Sequence, residues 1–263
     1  MASNSSALLR WSNIVAFVLT VIVNSLAGST TLLGGVNTAE ISDSNPTLIT
    51  PAGYTFAIWG IIYFLLGLFV VFQALPRQRE KKYNKQIGWL FVLSSVINIG
   101  WLFLWQYELL SLSLILMFLL LATLILIYVR LGIGKVAATF QEKLAIHTPF
   151  SVYLGWITIA TIANVSVTAV SINWDGFGIA AETWGILIII IALLLTLIVT
   201  ATRKDIAYGL VVIWALIGIA SKQTENSNIV TTAQASAIVI LLALATIAVL
   251  TILKKRWQNP RNQ

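Results

Sequence analysis

Residues 109–130 read LLSLSLILMFLLLATLILIYVR, a run with no charged side chain before Arg130. A helix needs roughly 20 apolar residues to cross the hydrocarbon core of a bilayer, and this run is long enough to do so. Because lipid offers no hydrogen-bond partners, a chain inside it must satisfy its own backbone groups, as an α-helix does. This stretch therefore predicts a transmembrane helix.

The rest of the chain has the same character. Hydrophobic residues make up 59% of its 263 residues and charged residues only 10%, whereas a soluble domain is about half apolar and about a quarter charged. The fold class we expect is all-α, a polytopic transmembrane helical bundle with about eight spans. The predicted spans are 12–32, 53–75, 87–105, 109–130, 149–171, 183–202, 206–221 and 232–253. The seventh span is the shortest of these.

The charged residues support this division of the chain. With eight spans and the N-terminus inside, 15 of the 16 basic residues fall on the inner side and Lys222 alone falls outside. Cytoplasmic loops are enriched in Lys and Arg in this way, so both termini are predicted to be cytoplasmic. The net charge of +7 is then a signal of topology, the basic loop 77–85 faces anionic lipid, and we expect no nucleic-acid partner.

Composition excludes several classes of function. The chain has no cysteine and one histidine, so disulfides and multi-histidine metal centres are excluded. No Asp, Glu, Lys or Arg falls in the middle of a predicted span, which argues against a proton-coupled transporter, a pump or a charged-residue channel. His147, near the inner end of the fifth span, is either an axial ligand of a tetrapyrrole metal or an interfacial side chain.

The N-terminal segment has two interpretations. Arg10 precedes an apolar stretch, and Ser25-Leu26-Ala27 would suit cleavage of a secretory signal. The apolar stretch is long for a signal and continues to Leu33, which favours a first membrane span.

Tryptophan is abundant, with ten residues in the chain. Those near the predicted span ends fit the aromatic belt found at membrane interfaces; they are Trp11, Trp89, Trp105, Trp174, Trp184 and Trp257. The belt does not explain the deeper ones, which are Trp59, Trp101, Trp156 and Trp214.

Three spans carry aromatic and polar residues at helical spacing. The stripes are Phe56, Trp59 and Tyr63 in the second span, Ser94, Asn98, Trp101 and Trp105 in the third, and Tyr153, Trp156, Ala160 and Asn164 in the fifth. An asparagine in lipid is costly unless it is hydrogen-bonded, so Asn98 and Asn164 should face the bundle interior. They act either as hydrogen-bonding groups between helices or as part of the lining of a cavity for a flat apolar ligand.

The motifs that contain these stripes resemble those of the TspO/MBR family, the tryptophan-rich sensory proteins related to the translocator protein. The matching segments are Pro51–Tyr63 (PAGYTFAIWGIIY), Asn98–Trp101 (NIGW) and Tyr153–Asn164 (YLGWITIATIAN). They occur in the family's order, on the second, third and fifth spans, and the resemblance covers about residues 12–175.

The resemblance implies a five-helix TspO-like unit over residues 1–175, often dimeric, with a pocket beneath the first outer loop. The three helices of residues 176–263 would be an extension of unknown role. Family members bind porphyrins, haem and in some cases sterols. The ligand-binding residues implied for this chain are Pro51, Phe56, Trp59, Tyr63, Asn98, Trp101, Tyr153, Trp156 and Asn164.

Three functions follow as hypotheses. The first is an integral membrane sensor or regulator that needs no cofactor and takes a porphyrin-type tetrapyrrole, such as haem, or another small hydrophobic ligand. The second is a carrier or channel for an uncharged or lipid-like substrate, and the third is a structural subunit of a membrane complex. The only enzymatic activity we consider is light-dependent porphyrin oxidation. We expect the protein to be surrounded by a lipid bilayer. The expected location is a bacterial inner membrane.

Overall fold

The computed structural model describes residues 2–258, and the side chains of residues 7–254. Within this range the chain forms eight long helices and no strand. They are α1 (Ala2–Ser29), α2 (Ile58–Ala74), α3 (Leu90–Gln106), α4 (Leu110–Leu131), α5 (Thr148–Ser171), α6 (Ala181–Arg203), α7 (Ile206–Lys222) and α8 (Ser227–Gln258). Arg261 and the C-terminus, which were predicted to be cytoplasmic, lie outside the described residues.

The all-α class is confirmed, and a helix occupies each predicted span. Six of these helices, counted with the helical turns that precede α2 and α5, are long and apolar enough to cross a membrane. The other two, α3 and α7, are apolar but have 17 residues each. At about 1.5 Å per residue they are roughly 25 Å long, at the lower limit of lengths seen for membrane spans.

Several predicted boundaries differ from the structure, and two of them lie at turns that contain a glycine with positive φ. The third span was predicted from residue 87, but Gly88 has φ of 50° and ends the short helix Lys82–Ile87, so α3 begins at Leu90. The first span was predicted to reach residue 32, but α1 ends at Ser29 and the chain turns towards Gly34, whose φ is 72°. A Cβ at Gly34 would overlap the Gln106 carbonyl, so this turn requires glycine.

Helix α5 is the centre of the bundle. Every residue from Pro149 to Ile157 is buried, as expected of a helix surrounded by others. Helices α2, α4 and α7 pack on it, α3 packs on α4, and α1 packs on α2 and α3. The connection 30–57 lies at one end of the bundle, which we call the loop end. The loop 77–85 lies at the opposite end, which we call the basic end.

Helix α7 joins the first five helices to α6 and α8. It packs on α5 on one side and on α6 and α8 on the other. Small residues allow the close approach. A Cβ at Gly155 of α5 would lie 3.1 Å from the Tyr208 carbonyl oxygen, and one at Gly209 would lie 2.9 Å from a Leu244 methyl group of α8.

At the basic end, a buried carboxylate stabilises the contact of α7 with α4 and α5. Asp205, only 7% exposed, accepts hydrogen bonds from the Tyr128 hydroxyl of α4 (2.7 Å) and the Ser151 hydroxyl of α5 (2.6 Å). Its second oxygen accepts from the Tyr208 backbone N–H (3.2 Å) and caps α7. Since a buried charge is tolerated only when hydrogen bonds surround it, these three helices are held in one arrangement.

Replacing Asp205 with Ala should destabilise the protein, because it leaves the buried hydroxyls of Tyr128 and Ser151 without this hydrogen-bond acceptor. Each buried group left without a partner lowers the free energy of unfolding by about 1–3 kcal/mol, so the thermal unfolding midpoint in detergent should fall clearly. Tyr128→Phe removes one of the three bonds and should lower the midpoint less. Equal midpoints for Asp205→Ala and the parent would show that this network does not hold the helices.

Candidate functional site

Five aromatic rings from α2, α3 and α5 meet near the loop end. The Trp59 ring stacks on Tyr63, with centroids 5.5 Å apart. It also lies 6.3 Å from Trp101, 6.0 Å from Tyr153 and 6.2 Å from Trp156. Trp101 and Trp156 are almost fully buried. The structure therefore brings the three predicted stripes together inside the bundle.

A cavity of about 60 Å³ lies beside these rings. Six of the nine residues implied by the resemblance line it, namely Pro51, Phe56, Trp59, Trp101, Trp156 and Asn164. The other three, Tyr63, Asn98 and Tyr153, do not line it. Tyr63 and Tyr153 pack against the Trp59 ring, and Asn98 accepts a hydrogen bond from the Asn24 side chain of α1 (2.8 Å).

The cavity is too small for a ligand in this structure. Pockets that hold small molecules have volumes of about 300–1,000 Å³, several times the volume found here. The rings fill the space between the helices by packing on one another, as the edge contact between Phe56 and Trp156 (6.1 Å) illustrates. A ligand as large as a porphyrin would enter only if some of these rings moved.

Three buried polar atoms in this cluster have no hydrogen-bond partner among the described residues. They are the indole nitrogen of Trp156, the amide nitrogen of Asn98 and the hydroxyl oxygen of Tyr63. A buried donor without a partner is costly, so the bundle interior holds unused donors next to its aromatic rings. Of the three residues, Trp156 lines the cavity, so a polar group on a molecule bound there would satisfy its indole N–H.

Asn164 links three helices. Its side-chain oxygen accepts a hydrogen bond from the Trp101 indole N–H of α3 (3.1 Å), and its amide nitrogen donates to the Ser113 hydroxyl of α4 (3.2 Å). Asn164 also lines the cavity. The two interpretations of this asparagine, as a hydrogen-bonding group between helices and as part of a cavity wall, therefore both describe it.

The connection 30–57 is tied to α3 by two side chains. The Gln106 amide donates to the carbonyls of Leu33 (3.0 Å) and Val36 (2.8 Å), and the Trp105 indole donates to the Thr38 carbonyl (3.2 Å). Trp105 was expected in the aromatic belt, but it is buried and takes part in this contact. Its position at a span end does not distinguish the two roles.

The same connection is tied to α7 on its other side. The Gln223 amide donates to the carbonyls of Thr47 (3.0 Å) and Thr50 (3.1 Å). The Trp214 indole donates to the Thr55 carbonyl (2.9 Å), and Gly218 accepts from the backbone of Ala52 (3.0 Å). The turn around Pro51, which roofs the cavity, is thus held by a helix outside the three motifs.

Helices α6 and α7 also supply cavity walls that the sequence motifs did not identify. The residues are Ile188, Ile189 and Ala192 of α6, and Ala215, Leu216 and Ile219 of α7. They are ordinary aliphatic residues in apolar helices, so their types carry no functional signal. The one pattern they share is the i, i+1, i+4 spacing of a single helix face, which any packed helix has.

His147 does not line the cavity. It lies at the N-terminal end of α5, towards the basic end, whereas Asn164 lies near the other end of that helix. Among the residues that the structure describes, no group of three or more His, Asp or Glu side chains could hold a metal ion. The cavity therefore offers aromatic and amide groups to a ligand and no axial histidine.

Comparison with known protein families assigns the chain to a family. The model of a family described as TSPO-like protein matches residues 10–247. The chain belongs to the TSPO-like family. The match runs from α1 into α8, so it extends beyond residues 12–175, which carried the sequence resemblance. Searches of curated proteins and of solved structures found no match. The family match and the apolar helices together identify this TSPO-like chain as an integral membrane protein that binds ligands.

The contact between α7 and the turn before α2 should be sensitive to one methyl group. A Cβ at Gly218 would overlap the Thr55 side chain. Because overpacking costs about 1–3 kcal/mol, Gly218→Ala should lower the thermal midpoint in detergent, and adding Thr55→Ala should restore part of the loss.

Gly60→Ala is the matched control, since Gly60 lies in α2 with no atom near its potential Cβ. That change should leave the midpoint unchanged or raise it, because alanine favours the helix by about 1 kcal/mol. Equal effects of the two alanines would contradict the tight contact at Gly218.

Proposed function

We propose that this TSPO-like protein is a membrane sensor or regulator that binds a flat, largely apolar ligand in the aromatic cavity, with porphyrin-type tetrapyrroles favoured. The observation that carries the proposal is the meeting of Trp59 with four other rings from three helices beside a cavity. No charged residue belongs to the described lining of that cavity.

The chemistry of a porphyrin suits these groups. Its faces are apolar, and its propionates give it an anionic edge. Stacking on tryptophan or tyrosine contributes about 0.5–1.5 kcal/mol per ring beyond the burial of area. The Trp156 indole N–H, which lines the cavity and is unpaired among the described residues, is a donor for a carboxylate or a ring nitrogen. Binding of this kind requires no catalytic base.

Binding must be coupled to opening of the cavity. Phe56 lies in the short 3₁₀ turn Gly53–Ala57, directly before α2, and its ring makes an edge contact with Trp156. Movement of this turn would uncover the indole without displacing a long helix. The ligand then binds a less populated open state, and its apparent affinity is reduced by the fraction of molecules that are open. Such a coupling between ligand and loop is what a sensor requires.

A titration with protoporphyrin IX tests the proposal. In detergent, the porphyrin should quench tryptophan fluorescence saturably. Replacing both Trp59 and Trp156 with Ala should raise the Kd by about tenfold or more, as expected for the loss of two ring contacts. Kd is best followed by porphyrin absorbance, which does not depend on the remaining tryptophans.

The control removes the same number of indoles from lipid-exposed positions. Trp11 is 67% exposed and Trp89 is 54% exposed, so Trp11→Ala with Trp89→Ala should leave the Kd unchanged. If the two double variants bound protoporphyrin IX equally well, the cavity would not be the binding site.

A second variant tests whether α7 belongs to the site. Leu216 is buried against the cavity, so Leu216→Trp should fill the space needed by the ligand and weaken porphyrin binding by about tenfold. Leu210→Trp places the same ring on the exposed face of the same helix and should have no effect. Unchanged binding in Leu216→Trp would confine the site to the first five helices.

We also propose that the protein lies in a bacterial inner membrane with its basic end in the cytoplasm. The support is the charge distribution, since the loop 77–85, Arg203 and Lys204 all lie at that end. Positively charged loops are retained on the cytoplasmic side during insertion.

A further inference from the structure

A second and larger cavity opens at the loop end of the bundle. Its volume is about 640 Å³, within the range of small-molecule sites. It lies between the end of α5 and the start of α6, beneath residues 46–50 of the connection. We call this cavity the vestibule. Three residues, Ile49, Thr50 and Ile188, line both the vestibule and the aromatic cavity and separate the two. None of the motif residues lines the vestibule.

The mouth of the vestibule carries a cluster of aromatic rings. The Trp174 ring lies 5.2 Å from Trp184 and 5.2 Å from Phe177. The Trp184 indole donates to the Gly176 carbonyl (3.0 Å), which fixes its orientation. Trp174 is 40% exposed, so part of its surface remains open to a ligand.

The charges of the vestibule are unbalanced. Its charged lining residues are Asp43, Asp175 and Lys222. Lys222 forms an ion pair with Asp43. Asp175 accepts a hydrogen bond from the Phe177 backbone N–H (3.0 Å) and has no cationic partner among the described residues. One negative charge therefore remains beside the aromatic rings.

Below this mouth the walls are apolar. Val165, Ala169 and Val170 of α5 face Ile188 of α6 across the cavity. Val165 and Val170 are themselves partly exposed, so this apolar surface is accessible. An accessible apolar surface of this kind is suited to an alkyl chain.

We propose that the vestibule binds an amphiphile with a quaternary ammonium headgroup. The headgroup lies at Trp174 and Asp175, because a partly exposed indole ring and a carboxylate both attract a cation. The alkyl chain lies between α5 and α6. An anionic headgroup is disfavoured by Asp175, since Lys222 is already paired. The proposal does not depend on porphyrin binding, which concerns a different set of side chains.

Photo-crosslinking of the full-length protein in dodecyl maltoside tests this site. The probe is an alkyltrimethylammonium that carries a diazirine near the end of its chain. Peptide mapping should place saturable crosslinks in residues 165–170 and 184–188. Dodecyltrimethylammonium should compete with the probe, and dodecyl sulfate should not. Equal competition by the two detergents, or labelling spread over the exposed faces of α1 and α8, would overturn the proposal.

Two variants sharpen the test. Asp175→Asn keeps the shape of the side chain and should weaken competition by dodecyltrimethylammonium about fivefold. Glu108→Gln makes the same change of charge in the α3–α4 loop, away from the vestibule, and should have no effect. Ala169→Phe should fill the cavity and abolish saturable labelling. Unchanged competition in Asp175→Asn would contradict the assigned headgroup, and unchanged labelling in Ala169→Phe would contradict the assigned cavity.

Discussion

Packing of Trp59 against four other rings holds the loop end of the bundle together. Helices in lipid gain little from the hydrophobic effect, so their association relies on close packing and interhelical hydrogen bonds. Here α2, α3 and α5 meet through ring contacts of 6.0–6.3 Å, and Asn164 adds hydrogen bonds to α3 and α4. The groups that would contact a ligand are the groups that hold the helices, so binding and helix packing compete for the same rings.

Helices beyond the first five also contribute to the candidate site. Aliphatic residues of α6 and α7 line the cavity, and α7 fastens the connection above it through Trp214, Gly218 and Gln223. At the basic end, Asp205 bonds the start of α7 to α4 and α5. Helix α7 is therefore part of the candidate site, although the division of the chain at residue 175 stays a prediction.

Hydropathy and charge identified the fold from sequence because lipid imposes a strong and simple constraint on every span. The motifs also pointed to Trp59, Trp101 and Trp156, which do converge. The sequence could not identify Leu216 or Ile219 as cavity walls, because an aliphatic residue facing a cavity has the same signature as one facing lipid. Nor could it show that Trp105 is buried, or that the cavity is small, because both depend on how distant segments pack.

A structure of the purified protein determined with protoporphyrin IX by crystallography or electron cryomicroscopy tests the central claim most directly. The account predicts the porphyrin against Trp59 and Trp156, with Phe56 displaced and with side chains of α6 and α7 forming the opposite wall. A porphyrin bound on a lipid-exposed face, with these rings still packed on one another as they are now, would contradict it.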